Sequence, residues 1–178
     1  MERELEEIRR AIRDIPNFPK PGIVFKDITP LLADSRLFKQ TIDLLANRYR
    51  SGGVDVVLGI ESRGFIIGSA VAYALGVGIS IVRKAGKLPY ETHRATYDLE
   101  YGSDTIEVHR DAIMPHARVL LVDDLIATGG TAGAAVKLVS QLGAEVVEAA
   151  FVIELSFLGG RKKLAPCGAF SLIQYDSE

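Results

Sequence analysis

Residues 119–131 read VLLVDDLIATGGT, and this stretch decides the fold. Four apolar residues, typical of a buried strand, precede the adjacent acids Asp123 and Asp124. The Gly-Gly pair that follows permits a tight turn whose backbone N–H groups can face an anion. A helix that starts near Thr131 adds unpaired amides and the positive end of its dipole. The string therefore predicts a strand, a phosphate-binding loop and a helix in an open α/β sheet.

The two acids indicate what lies beside the phosphate. Open α/β sheets bind ligands at the carboxyl ends of their strands, where Asp123 and Asp124 are expected. Carboxylates are unsuited to binding a phosphate directly, but they accept hydrogen bonds from sugar hydroxyls or face a divalent metal. Thr128 and Thr131 offer further hydroxyl groups. A phosphate next to a polyol predicts a sugar phosphate as the ligand.

The remaining chain alternates apolar runs with helical patterns. Strands are predicted at 54–60, 79–82, 118–123, 145–153 and 169–173, and helices at 35–51, 64–75 and 131–142. Leu5, Ile8, Ile12 and Ile15, spaced by three and four, predict an N-terminal helix that Pro16 stops. The fold class is therefore α/β, with a parallel sheet covered by helices in one domain of residues 1–178. The N-terminal helix and arm occupy about 1–34.

A polar stretch at about 84–112 departs from this alternation. Its two alternating runs, 95–101 and 105–109, flank the turn residues 102–104. This pattern is typical of a β-hairpin rather than of a strand-helix-strand unit. We expect a hairpin flap over the active site.

Composition excludes several classes of protein. The 178 residues carry a net charge of −2, so no general attraction to nucleic acid or an anionic membrane is expected. A single cysteine, Cys167, excludes an internal disulfide and a multi-cysteine metal site, and the three histidines lack metal-ligand spacing. The charged N-terminus and the lack of a long apolar run predict a cytoplasmic protein.

Cations after two of the strands indicate a polyanion. Arg63 lies in GIESRGF, residues 59–65, a second junction of strand, glycine and helix. The helix dipole disfavours a cation there, which favours a functional role over a surface one. Arg83, Lys84 and Lys87 gather near the root of the flap. A solvated charged face is an equally good explanation of these three residues from the sequence alone.

Residues 119–131 closely resemble the phosphoribosyl pyrophosphate (PRPP) motif of type I phosphoribosyltransferases. The resemblance implies that the loop and acids bind the PRPP phosphate and ribose through Asp123, Asp124, Ala127, Thr128, Gly129, Gly130 and Thr131. It assigns pyrophosphate to Arg63, Arg83, Lys84 and Lys87, with Arg63 also catalytic. In that family the loop that carries the residue matching Arg63 often has a non-proline cis peptide.

Three further strings resemble the adenine-specific branch of this family: residues 18–30, 83–89 and 97–102. The resemblance implies that Phe25 stacks on adenine, that backbone groups of Val24 and Lys26 bind its edge, and that Leu155 covers its other face. Family members often carry Arg where this chain has Lys26. Packing of Phe25 into the core, and an ordinary strand-end role for Leu155, explain these residues equally well. Glu100 would be catalytic, handling the proton of the adenine ring, and Tyr101 in the flap would shield the reacting centre.

The family implies transfer of the phosphoribosyl group to adenine, with Mg²⁺ held mainly by PRPP rather than by dedicated protein ligands, and a homodimer. Helix 64–75 is a candidate for the dimer interface. Three alternatives remain at this point. They are a PRPP-sensing regulator, a phosphoribosyltransferase for a 6-oxopurine or orotate, and a phosphoacceptor signalling domain, whose paired acids also end a strand.

Overall fold

The computed structural model describes residues 1–98 and 102–177. Within these residues the main sheet has seven strands in the order β5-β6-β4-β3-β7-β8-β9. They are β3 (Val56–Ile60), β4 (Gly78–Lys84), β5 (Thr92–Asp98), β6 (Ser103–His109), β7 (Arg118–Ile126), β8 (Glu145–Leu155) and β9 (Gly168–Tyr175). Strands β4, β3, β7, β8 and β9 are parallel to one another. The predicted parallel α/β sheet is confirmed.

Helices cover both faces of this sheet. They are α1 (Glu2–Arg10), α2 (Thr29–Ala33), α3 (Ser35–Asn47), α4 (Arg63–Leu75) and α5 (Gly130–Gln141). Alternate residues of β7 enter two different cores, because successive side chains of a strand point to opposite faces. Val119 and Leu121 pack in the core beneath α5, whereas Leu120 and Val122 pack in the core formed with α1, α3 and α4. Burial on both faces explains why β7 is almost entirely apolar.

The hairpin is formed by β5 and β6, which pair antiparallel from Thr92–His109 to Asp98–Ser103. It continues the sheet, because β6 pairs antiparallel with the end of β4. Glu107 of β6 is fully buried and accepts the N–H groups of Lys87 and Leu88 at 3.1 and 3.0 Å and Nε of Arg94 at 3.1 Å. This carboxylate therefore fixes the segment between β4 and β5 against the hairpin.

The N-terminal helix is shorter than predicted, and its predicted extension to Ile15 is wrong. Helix α1 ends at Arg10, and residues 13–16 form strand β1 (Arg13–Pro16), which pairs antiparallel with β2 (Val24–Asp27). Ion pairs from Arg13 to Asp27 at 2.6 Å and from Lys26 to Asp14 at 2.8 Å join the two strands. Pairing with β2 holds residues 13–16 in a strand although the spacing of Ile15 is helical. Ile12 is buried, as the pattern predicted.

Other element boundaries differ by a few residues. Helix α3 ends at Asn47 rather than near Ser51, but its predicted inward residues are buried, namely Leu37, Ile42, Leu45 and Tyr49. Strand β7 continues three residues beyond the predicted end at Asp123. The short helix α2 was not predicted. In the described part of the chain, no helix has both the length and the apolar character that crossing a bilayer requires.

Candidate active site

A cavity of about 410 Å³ opens at the carboxyl ends of β3, β4 and β7. Five residues that the sequence assigned to PRPP line it, namely Arg63, Lys84, Asp123, Asp124 and Thr131. Glu61, Tyr97 and Asp104 line it as well. A second cavity of about 190 Å³ lies along the loop of residues 127–131 and shares Asp123, Leu125 and Thr131 with the first. The structure thus places the loop and the acids around a common space.

The loop after β7 is fixed by close backbone contacts. Gly129 has a φ of 75°, and a Cβ there would lie 2.3 Å from the carbonyl oxygen of Gly160. A Cβ on Gly160 would lie 2.2 Å from the carbonyl oxygen of Ala127. Helix α5 begins at Gly130, so its first N–H groups, which have no partner within the helix, lie at this cavity. The loop has the features of an anion site at a helix N-terminus.

The two acids differ in their surroundings. Asp124 is 4% exposed and forms an ion pair with Arg63. Asp123 accepts the N–H of Asp124 through Oδ1 at 2.9 Å. Burial, and next the charge of Asp124, raise the pKa of Asp123 well above its usual value. Ionisation of the Asp123 carboxyl therefore costs free energy, and hydrogen-bond donors from a bound sugar would reduce that cost.

Arg63 connects this site to the N-terminal arm. The Glu61–Ser62 peptide that precedes it is cis, as the resemblance implied. The guanidinium carbon of Arg63 lies 5.3 Å from the ring centroid of Phe25, which itself contacts Phe18 edge to face at 5.3 Å. Phe25 is half-buried at the site and does not belong to either core cluster.

The side chain of Lys26 turns away from this aromatic pair. It is buried, and its Nζ contacts Asp14 at 2.8 Å and lies 4.2 Å from the ring centroid of Tyr175. Any contact of Lys26 with a ligand beside Phe25 would therefore come from its backbone. Val24 pairs with Pro16 at the end of the same strand.

The three remaining cations contact acids at the edge of the main cavity. Lys87 and Arg83 bind Glu61, with N–O distances of 2.7 and 3.2 Å. Lys84 binds Asp104 of the hairpin at 3.0 Å. The side-chain hydrogen bond from Lys84 lowers the pKa of Asp104. The predicted cation group is thus brought together, and each member has an acidic partner.

Comparisons with known proteins agree with this geometry. The family model for the phosphoribosyl transferase domain matches residues 28–165. An adenine phosphoribosyltransferase of Syntrophotalea carbinolica is 56% identical over 171 residues, which cover 96% of this chain and 100% of that protein. The chain belongs to the adenine phosphoribosyltransferase family.

Solved structures of this family have the same fold. The enzyme of Thermoanaerobacter pseudethanolicus is 51% identical with a TM-score of 0.94, covering 96% of this chain and 99% of that one. The enzyme of Saccharomyces cerevisiae, complexed with adenine and an imino-altritol bisphosphate, is 45% identical with a TM-score of 0.91 and covers 97% and 99%. The family and function predicted from the sequence are confirmed, and the phosphoacceptor and regulator alternatives are not supported.

Six assigned residues in the described part of the chain line neither cavity, namely Val24, Phe25, Lys26, Arg83, Lys87 and Leu155. Leu155 ends β8 half-buried beside Tyr175, its partner in β9, and is not among the residues that line the two cavities described above. Glu100 and Tyr101 lie outside the described residues. Proton exchange by Glu100 and shielding by Tyr101 remain proposals that rest on the resemblance to adenine phosphoribosyltransferases.

Sequence reasoning gave no role to three residues that line the main cavity. Glu61 precedes Ser62 and Arg63 in the loop, Tyr97 begins the flap string, and Asp104 lies in the predicted turn. Glu61 lies two residues before Arg63, and this was the signal available for it; Asp104 is 17 residues beyond Lys87, and its sequence position gave no such signal. Tyr97 lies against the phosphate loop, because a Cβ on Gly130 would approach its Cδ2 to 2.9 Å.

Replacing Gly129 by Ala should destabilise the protein more than replacing Gly22. Both glycines have positive φ, 75° and 88°, but an added Cβ on Gly22 would meet no atom of the described residues within 4 Å. Gly22→Ala therefore reports the conformational cost alone, roughly 1–2 kcal/mol. Gly129→Ala adds the contact with Gly160 and should lose more of the free energy of unfolding in urea. Equal losses would contradict the close packing of the loop.

Asp123→Asn should stabilise the ligand-free protein at neutral pH. The fold raises the pKa of Asp123. The free energy of unfolding is therefore highest below the unfolded pKa of about 3.9, where Asp123 is protonated in both states. It falls as the pH rises through the folded pKa, because ionisation of Asp123 then costs free energy in the folded state alone. Asn cannot ionise and can still accept the N–H of Asp124. Urea unfolding from pH 3 to 8 should show the variant's advantage growing with pH. A difference that is constant with pH would refute this account.

Proposed function

We propose that the chain transfers the phosphoribosyl group of PRPP to adenine and so forms AMP and pyrophosphate in purine salvage. The observation that carries this proposal is the arrangement around the main cavity. An anion-binding loop borders one side, cations at the ends of β3 and β4 border the other, and two acids lie between them. This order matches the 5-phosphate, the ribose and the pyrophosphate of PRPP.

The ribose phosphate end is assigned to the loop after β7. Backbone N–H groups of residues 127–131 and the hydroxyls of Thr128 and Thr131 would donate to the 5-phosphate. Asp123 and Asp124 would accept hydrogen bonds from the ribose 2- and 3-hydroxyls. The raised pKa of Asp123 supports this role, because a buried carboxylate gains from such donors.

The pyrophosphate end is assigned to Arg63, Arg83, Lys84 and Lys87. Guanidinium groups bind phosphate oxygens in pairs, and the ammonium groups add charge without a fixed geometry. These cations contact Asp124, Glu61 and Asp104. Binding of PRPP would therefore exchange partners within the site.

Adenine is assigned to the space beside Phe25. The ring is half-buried next to Arg63, where it could stack on a purine adjoining the ribose site. Backbone groups of Val24 and Lys26 would bind the purine edge, and Leu155 would cover the opposite face. The side chain of Lys26 is held by Asp14, which supports a backbone role, and with that role Lys in place of Arg should matter little.

The reaction breaks the bond between ribose C1 and the pyrophosphate oxygen and forms a bond from adenine N9 to C1. The ribose passes through an oxocarbenium-like state, and the electron pair of the broken bond leaves with pyrophosphate. Arg63 and the other cations stabilise that developing charge. Glu100 exchanges the proton of the adenine ring as general acid or base. The hairpin with Tyr101 excludes water that would otherwise attack the oxocarbenium-like ribose.

The acids of the site fit a magnesium ion that PRPP carries. In residues 1–98 and 102–177, no group of three or more His, Cys, Asp or Glu side chains could hold a metal. The carboxylates of Asp123 and Asp124 at the cavity are the oxygen ligands that Mg²⁺ accepts, alongside PRPP oxygens. When bound, Mg²⁺ supplies charge neutralisation at the pyrophosphate.

We also propose that residues 1–178 form one domain and that the enzyme is a cytoplasmic homodimer. An apolar surface on α4 and β4 supports the dimer. Ile66 and Tyr73 lie seven residues apart on one face of α4 and are 46% and 90% exposed. Ile79 and Ile81 lie on the neighbouring β4 and are also exposed. Exposed apolar side chains grouped in this way are typical of an interface.

The direct test is product analysis with purified protein, Mg²⁺, PRPP and adenine, hypoxanthine, guanine or orotate in turn. We expect AMP from adenine and no nucleotide from the other three bases. Turnover of another base would retain the PRPP site and overturn the assignment of the arm. A protein that binds PRPP without any product would be the regulator instead.

Glu100→Gln should lower kcat about 10²–10⁴-fold, the usual contribution of a general acid or base. The amide retains the size of the side chain but cannot exchange a proton. Steady-state kinetics with adenine would measure the effect. Glu91→Gln is the matched control, since Glu91 precedes the same hairpin turn in sequence, has no assigned role and pairs with Arg110 at the surface. Full turnover by Glu100→Gln would remove proton transfer from the mechanism.

Tyr73→Glu should convert the homodimer into monomers. The change places a charge on the most exposed part of the apolar surface of α4, where an interface would have to bury it. Sedimentation equilibrium would give the molar mass. Met114→Glu is a control, because Met114 is exposed but lies outside α4 and β4. A native protein that sediments as a monomer would refute the dimer.

A further inference from the structure

Glu61 lies among the cations assigned to pyrophosphate. Its Oε1 accepts from Nζ of Lys87 at 2.7 Å and from a terminal nitrogen of Arg83 at 3.2 Å. Its Oε2 accepts from Nε of Arg83 at 3.3 Å and from the backbone N–H of Lys84 at 3.0 Å. The side chain is 12% exposed and lines the main cavity.

These donors are the ones that a phosphate group requires. Arg83 holds Glu61 through two nitrogens, a geometry that guanidinium groups use equally for carboxylates and phosphates. Lys87 contributes its full charge to the same carboxylate. Glu61 therefore accepts from the same groups that the proposed function assigns to pyrophosphate oxygens.

The charge of Glu61 persists at neutral pH. Burial alone would raise its pKa, but the hydrogen bonds from Lys87, Arg83 and the N–H of Lys84 outweigh burial and lower the pKa to about 2. A bound pyrophosphate must therefore either displace this carboxylate from its donors or lie beside a like charge. Both alternatives weaken pyrophosphate binding.

We propose that Glu61 is an internal competitor of pyrophosphate for Arg83 and Lys87, and that this competition promotes release of the product. The proposal deepens, and rests on, the function proposed above. Glu61 is a positioning residue, since it acts through the two cations. When pyrophosphate leaves, Glu61 again accepts hydrogen bonds from Arg83 and Lys87, so these two cations regain an acidic partner. Product release limits kcat in many enzymes, and a weaker hold on pyrophosphate shortens that step.

A purely structural role for Glu61 predicts the opposite result. If the carboxylate only holds Arg83 and Lys87 in place, its loss would weaken pyrophosphate binding. Glu61→Gln separates the two roles, because the amide oxygen still accepts hydrogen bonds while the negative charge is gone. Tighter binding by a variant cannot result from misfolding.

The experiment is calorimetric titration of the full-length protein with magnesium pyrophosphate. We expect Glu61→Gln to lower the Kd about fivefold, the upper end of what one partly exposed ion pair contributes. In steady-state kinetics, the KM for PRPP and the inhibition constant of pyrophosphate should fall with the Kd, and kcat should fall because release slows. Glu61→Asp, which retains the charge, should stay near the native Kd.

Glu148→Gln is the matched control. Glu148 is 17% exposed, pairs with Arg48 at 2.6 Å and lies on β8 away from the cavity, so its variant should bind pyrophosphate as the native protein does. Unchanged or weaker binding by Glu61→Gln would overturn the proposal, as would a native protein that binds no pyrophosphate. The proposed function fails separately, if native protein that binds pyrophosphate makes no AMP from adenine and PRPP.

Discussion

The ion pair between Arg63 and Asp124 organises the site. Asp124 is almost fully buried at the end of β7, and a buried carboxylate without a partner would cost several kcal/mol, roughly 3–5 when one member of such a pair is removed. Arg63 supplies that partner from the loop after β3. Because its guanidinium also lies against Phe25, the same side chain holds the N-terminal arm beside the two loops. Three segments distant in sequence thereby meet at one cavity.

The cations of the site are paired with acids, in a chain whose net charge is −2. The cations assigned to pyrophosphate pair with Asp124, Glu61 and Asp104, so little of their positive charge is uncompensated within the protein. In the proposed function, binding of PRPP would exchange one anionic partner of these cations for another rather than add charge to free cations. Such an exchange would moderate affinity, which would suit a reaction in which one anionic product must leave at every turnover.

Sequence reasoning succeeded where local pattern decides structure. The apolar run, paired acids and Gly-Gly loop of residues 119–131 fix β7, the phosphate loop and the start of α5 from neighbouring residues alone. It failed where distant segments decide. Ile15 fits the helical spacing of the N-terminal segment, but it lies in strand β1 because β1 pairs with β2. The acids opposite the cations were missed for the same reason, since Glu61 and Lys87 are 26 residues apart. The roles of Glu100 and Leu155 rest on resemblance.

The hairpin contacts both ends of the proposed PRPP site. Tyr97 of β5 packs on Gly130 in the phosphate loop, and Asp104 of β6 pairs with Lys84 among the pyrophosphate cations. Glu107 binds the backbone of the segment that carries Lys87. A shift of the hairpin would therefore disturb the phosphate loop and the cation group together. Glu100, which is proposed to exchange the adenine proton, lies in sequence between β5 and β6, so the proposed proton transfer would depend on an element that contacts both the phosphate loop and the cation group.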